Sequence, residues 1–276
     1  MLIKFTKMHG LGNDFVVIDA VRQHINLTTE AIKKLADRNV GIGCDQVLIL
    51  EPPADKNSDF NYRIFNCDGT EVEQCGNGAR CMGRYIADQQ LSGKQTVLLQ
   101  TKNRVMEVSI KPKNLVTANM GAPLFTPAEI PFISDQEEKL YPIKTDTERY
   151  EIAAISVGNP HAVIQVEDVD TTAVSNIGPQ IQAHNQFPES VNVGFMQIID
   201  RQTIKLRVYE RGVGETQACG SGACAAAVAA IQQNLVDSKV KLELVGGALW
   251  VEWQGNDQPI LMTGPAETVF HGKIKL

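Results

Sequence analysis

Apolar residues fall mostly in short runs, many alternating with polar ones, and Gly, Pro, Asn and Asp stand between the runs. A two-residue period, or a short apolar run bounded by turn residues, marks a strand. This predicts strands at 2–8, 15–20, 47–51, 62–66, 96–100 and 105–111. A second series is predicted at 115–118, 153–157, 162–166, 192–199, 203–209, 241–245, 249–253 and 260–263. Helices are predicted only at 29–37, 78–90 and 222–234. The last is rich in alanine, with Val228, Ile231 and Leu235 at helical spacing. A helix with so little polar surface belongs inside a sheet assembly. The pattern indicates α+β, not a βαβ series.

The two strand series are related. Shifting the chain by 146 positions lays Gly12-Asn13 on Gly158-Asn159, Gln46 on Asn192, and the apolar run 16–18 on 162–164. A shift of 144 lays Phe65-Asn66 on Tyr209-Glu210, Glu71 on Glu215, and CGNGA at 75–79 on CGSGA at 219–223. Matches in the same order at nearly constant offset indicate internal duplication. The expected halves are 1–119, to which 265–276 return, and 120–264, with a functional cleft between them. The polar, proline-bearing stretch 126–147 reads as a surface excursion of the second half.

The chain has 276 residues, 43% of them hydrophobic, and a formal net charge of −6. That length suits two cores. Without basic blocks, nucleic acid and anionic lipid are not expected partners. No long apolar run and no signal-like N-terminus is seen, so a cytoplasmic location is expected. Six cysteines in such a chain are expected as thiols. The closest spacings, Cys75 to Cys81 and Cys219 to Cys224, are not zinc knuckles, so no metal is expected.

Duplication singles out Cys75 and Cys219, whereas Cys44, Cys67, Cys81 and Cys224 have no cysteine partner in the repeat and are expected to pack. Each repeated cysteine enters a helix through Cys-Gly-x-Gly-Ala. Glycines let the backbone approach a ligand closely, and amides at a helix N-terminus form an anion site. That setting should favour the thiolate. Two such thiols around one carbon could remove a proton from one face and return one to the other, one starting as thiolate and one as thiol. Amides of Gly76, Asn77, Gly220 and Ser221 would hold a carboxylate and stabilise the charge that develops.

Seven blocks, in order, are similar to the diaminopimelate epimerase family: MHGLGNDF (8–15), NCDGT (66–70), EQCGNGAR (73–80), GNPH (158–161), VNVG (191–194), ERGVGET (210–216) and ACGSG (218–222). The resemblance runs nearly end to end. It implies two pseudo-symmetric halves, each a barrel-like, mostly antiparallel sheet around a central helix. It also implies interconversion of LL- and meso-2,6-diaminopimelate without pyridoxal phosphate or metal, in lysine and peptidoglycan precursor biosynthesis, by a homodimer.

On matching positions, the resemblance implies that Cys75 and Cys219 are the acid–base pair. Asn13, Gln46, Asn66, Asn77, Asn159, Asn192, Glu210 and Arg211 would contact substrate, and His161 and Glu210 would adjust which thiol ionises. A substrate with an amine and a carboxylate at each end needs its distal end held in register, and Arg211 can pair with a distal carboxylate. His9, His24, His184 and His271 are given no role. A racemase of the proline racemase group is the nearest rival, but Asn77 stands where that group tends to carry His. A redox switch joining the two cysteines is a rival of another class.

Overall fold

The computed structural model describes residues 2–73, 75–145 and 148–276. Gln74 of the first cysteine motif lies outside the described residues, as do Asp146 and Thr147 at the end of the expected excursion. The chain forms two compact units, one running to Asn119 and taking in Thr263–Leu276, the other Met120–Met262.

The first unit contains β1 (Leu2–Gly10), β2 (Asn13–Asp19), α1 (Thr29–Ala36), β3 (Gln46–Glu51), β4 (Phe60–Asn66), β5 (Glu71–Val72), α2 (Gly76–Asp88), β6 (Thr96–Gln100), β7 (Val105–Ile110) and β8 (Leu115–Asn119). The second contains β9 (Tyr141–Lys144), β10 (Arg149–Ser156), β11 (Pro160–Gln165), α3 (Val174–Gln182), β12 (Asn192–Asp200), β13 (Thr203–Glu210), β14 (Gly214–Thr216), α4 (Gly220–Gln232), β15 (Lys239–Leu244) and β16 (Gly247–Glu252). Next come β17 (Leu261–Pro265) and β18 (Glu267–Lys275), which pairs antiparallel with β1.

The same pairing plan appears in both units. Antiparallel β1 and β2 lead to a parallel β2–β3 pair, with Phe15 opposite Gln46. Antiparallel β10 and β11 lead to a parallel β11–β12 pair, with His161 opposite Asn192. Next, β3 runs antiparallel to β4 and β12 to β13. After the cysteine helices, β4 pairs parallel with β6, and β13 with β15. Even the ion pairs repeat: Arg63 Nε donates to Glu71 at 2.8 Å, and Arg207 Nε to Glu215 at 2.6 Å.

The α+β class stands, with most pairs antiparallel, yet each unit holds two parallel pairs bridged by a helix. The sequence pattern missed this because α3 did not show in it. Gly178 and Pro179 read as breakers, but a Cβ at 178 would lie 2.6 Å from the Tyr209 ring, so glycine permits close docking on β13. β18 was also missed, because most of it is exposed and gives no buried periodicity. The segment 126–147 is not simply a surface excursion. Ile130, Phe132, Tyr141 and Ile143 alternate inward and join the core of the second unit, Phe132 packing on Tyr141 and Phe187 with ring centroids 4.7 Å apart in each case.

Sheet strands surround each cysteine helix. α2 touches β1, β2, β3, β7 and β8, and α4 touches β10 to β13 with β15 and β16. Residues 222–230 of α4 are all buried, as its composition demanded. No helix among the described residues is long and apolar enough to cross a membrane.

Buried thiols make alkaline stability a test of these cores. Burial pushes Cys44 and Cys81 from an ordinary 9.0 up to about 12. A raised folded-state value stabilises the fold below the unfolded-state value and is lost as pH climbs through the folded one. Stability should therefore fall above pH 9, by about 1.4 kcal/mol per pH unit for each such thiol. Urea midpoints at pH 8 and pH 10 under reductant should show the drop, and Cys81→Ala should lessen it. An unchanged midpoint would contradict the burial of these thiols.

Candidate active site

Both helices start two residues earlier than their periodicity predicts, at Gly76 and Gly220, so each repeated cysteine is the N-cap. Cys75 Sγ accepts from the Gly78 amide at 3.4 Å, and Cys219 Sγ from the Gly222 amide at the same distance. The first helical backbone bonds are Ala79 N to Cys75 O and Ala223 N to Cys219 O. The amides at 76, 77, 220 and 221 thus belong to the first turn of each helix, the end where an anion is favoured.

In the first unit, Leu11 and Gly12 take φ of 57° and 87° and turn β1 into β2, setting Asn13 beside α2. Asn13 Oδ1 receives Asn77 Nδ2 at 3.2 Å and stands 3.9 Å from Cys75 Sγ. Asn13 Nδ2 donates to Asp45 Oδ2 at 2.9 Å. Asp45 and Asp14 are held in turn by Arg38, and Asp14 by Lys7, which hold the Asp14 carboxyl well below the carboxylate range despite its burial. Gln46 and Asn66, opposite each other on β3 and β4, are joined by a 2.9 Å bond from Gln46 Nε2. Gln46 Oε1 is buried without a partner, an acceptor ready for a ligand donor.

In the second unit, Gly158 (φ 85°) makes the matching turn and places Asn159 by α4. Asn159 Nδ2 donates to Ser221 Oγ at 3.4 Å, and Ser221 Oγ lies 3.6 Å from Cys219 Sγ. Asn159 Oδ1 receives His161 Nε2 at 3.0 Å. Asn192 Oδ1 accepts the Arg211 amide at 2.9 Å, and Asn192 Nδ2 donates to the Pro160 carbonyl at 3.0 Å. The Arg211 guanidinium is exposed and donates to the Glu189 carbonyl at 3.0 Å. Glu210 accepts the Thr216 hydroxyl, and its carboxylate acts on the Cys219 thiol.

Electrostatics at Cys219 reverse the expectation of a favoured thiolate. Burial, then the Glu210 carboxylate, push its thiol well above the usual range, while the Ser221 hydroxyl and the Gly222 amide pull more weakly the other way. Only 5% of Cys219 is exposed, so desolvation outweighs the helix dipole. His161 is wholly buried and pushed down to about 3, first by burial and then by Arg211. It is neutral and touches Asn159, so any influence on the thiol runs through Asn159 and Ser221. Asp45, Arg80 and Thr216 were not singled out by sequence. Arg80 stood inside the EQCGNGAR block, and Asp45 beside Gln46.

Sequence comparison assigns the chain to a family. The profile of the diaminopimelate epimerase family matches residues 5–126 and 153–269. The chain belongs to the diaminopimelate epimerase family. Diaminopimelate epimerases of Pseudomonas entomophila and Teredinibacter turnerae are 52% and 51% identical over 276 residues, covering all of both chains. Solved structures share the epimerase fold at low identity. A hydroxyproline epimerase from Agrobacterium vitis matches with TM-score 0.71 at 14% identity, over 99% of this chain and 92% of that one. A PhzF-family phenazine biosynthesis protein of Bacillus anthracis matches with TM-score 0.70 at 14% identity, over all of both chains. The cysteine-capped helices of this diaminopimelate epimerase family member are thus set on a fold shared with these two structures.

Proposed function

We propose that the chain interconverts LL- and meso-2,6-diaminopimelate without a cofactor, with Cys75 and Cys219 acting from opposite faces of one carbon. The supporting observation is the duplicated cysteine N-cap: two thiols, each at the start of a buried thirteen-residue helix. One thiolate takes the α-proton, and the electron pair passes from the C–H bond onto the carboxylate. The other thiol then gives its proton to the opposite face, which leaves the two protonation states exchanged and no net change in protons.

Around the reacting carbon, the amides of Gly76, Asn77, Gly220 and Ser221 receive the carboxylate as its charge rises. Arg211 takes the distal carboxylate, and Glu210, beside Cys219, contacts the substrate and adjusts which thiol ionises. Asn13, Gln46, Asn66, Asn159 and Asn192 provide neutral donors and acceptors, and His161 sets Asn159. The enzyme works in the cytoplasm as a homodimer, with no nucleic-acid or membrane partner. Exposed Val269 and Phe270 on β18 offer apolar surface to a second copy.

Purified protein incubated with LL-diaminopimelate in deuterated water, under reductant and without pyridoxal phosphate, is expected to yield meso product carrying α-deuterium. Absence of both would refute the reading.

A further inference from the structure

The two half-sites match in backbone but not in the sense of their hydrogen bonds. In the first unit, Arg80 Nη2 donates to Asn77 Oδ1 at 3.0 Å, Asn77 Nδ2 to Asn13 Oδ1 at 3.2 Å, and Asn13 Nδ2 to Asp45 Oδ2 at 2.9 Å. Both ends of this chain are obligate: a guanidinium only donates and a carboxylate only accepts. The amide orientations of Asn77 and Asn13 are therefore both dictated, and a carbonyl oxygen is turned toward Cys75 Sγ, 3.9 Å away.

The second unit runs the other way. His161 Nε2 meets Asn159 Oδ1, so the Asn159 amino group faces α4 and donates to Ser221, whose hydroxyl neighbours Cys219 Sγ. The repeat equivalents of Asp45 and Arg80 are Val191 and Cys224, and that of His161 is Phe15. Each unit lacks the groups that polarise the other. A Cβ at Gly10 would lie 3.2 Å from Arg80 Nη2, a tight contact, so glycine leaves the guanidinium room.

We infer that Asp45 and Arg80 are positioning residues that lock Asn13 with its carbonyl toward Cys75, while His161 starts a chain of opposite sense that brings a donor to Cys219. Pseudo-equivalent thiols thereby receive unlike partners: an acceptor for the Cys75 S–H, and a donor for the Cys219 sulfur. This rests on Cys75 and Cys219 being the reacting pair, and it adds the residues that make them unequal.

Asp45 is exposed, so Asp45→Ala can be made without opening a core. A double-mutant cycle with Asn13→Ala separates positioning from general stability. Asp45→Ala should lower kcat about tenfold with KM within about twofold, and Asn13→Ala/Asp45→Ala should equal Asn13→Ala within about twofold. Iodoacetamide labelling of Cys75, read by peptide mass, needs no substrate. It should quicken in Asp45→Ala, because the loosened amide can turn its amino group to the sulfur, and should not quicken further in the Asn13→Ala background. Equal effects of Asp45→Ala in both backgrounds, or none in either, would overturn the inference. Wild-type protein inert toward diaminopimelate would refute the proposed function instead, and the labelling cycle would still decide this one.

Discussion

Cys219→Ser should lower epimerase turnover by about 10²–10⁴-fold, the range a general acid or base supplies, while shifting the melting temperature by no more than about 3 °C. Serine is the sharper replacement because it separates the two duties of this position. As N-cap, Cys219 accepts the Gly222 amide, and a serine hydroxyl is a preferred N-cap acceptor, so α4 keeps its first turn. The Ser221 hydroxyl, 3.6 Å from the sulfur, can neighbour a serine hydroxyl as well. What serine cannot do is exchange a proton at neutral pH. With Cys75 alone, residual α-proton exchange is expected with retention of configuration, since one base reaches only one face. Mass spectrometry for deuterium, with chiral separation of product, reads both outcomes. Turnover within threefold of wild type would remove Cys219 from the acid–base pair.

Gly41→Ala should cost about 3–5 kcal/mol, among the largest effects of a single substitution. A Cβ at position 41 would lie 1.8 Å from the Lys34 carbonyl oxygen, 2.8 Å from that of Asp37 and 3.0 Å from that of Leu35. All three are backbone atoms, so no rotamer change relieves the clash. Residues 41–44 fold back over the end of α1. Gly41 N bonds Asp37 O, Ile42 N and Gly43 N share Leu35 O, and Cys44 N bonds Ala36 O. These are carbonyls that a helix end leaves without helical donors. Displacing the loop would strip several at once and move Gly43 and Asp45, which hold Lys7 and Asn13. Urea denaturation should register the loss, and a change below about 1 kcal/mol would show that the loop tolerates a side chain there.

Much of the candidate site could be proposed without coordinates. Cys75 and Cys219 stood out because duplication repeats a local motif, and a Cys-Gly-x-Gly helix start is local chemistry. Strand periods, the glycine turns before Asn13 and Asn159, and the apolar character of α4 are local too. The placement of Gln46 beside Asn66 followed only from strand register, which pairs residues twenty positions apart.

What the chain sequence by itself determined was therefore the duplication, the strand-rich α+β class and the two cysteine caps, since each depends on neighbours within a few residues. Tertiary structure alone decided that α1 and α3 bridge parallel strands, that Ile130 and Phe132 turn inward, and that Cys219 is held as a thiol. It also decided the opposed sense of the two hydrogen-bond chains. The physical reason is common to all four: burial and amide orientation are set by groups distant in sequence, such as Asp45 for Asn13 and Glu210 for Cys219. A thiol at a helix start is drawn toward ionisation by its own helix, and only the surrounding fold can desolvate it enough to reverse that.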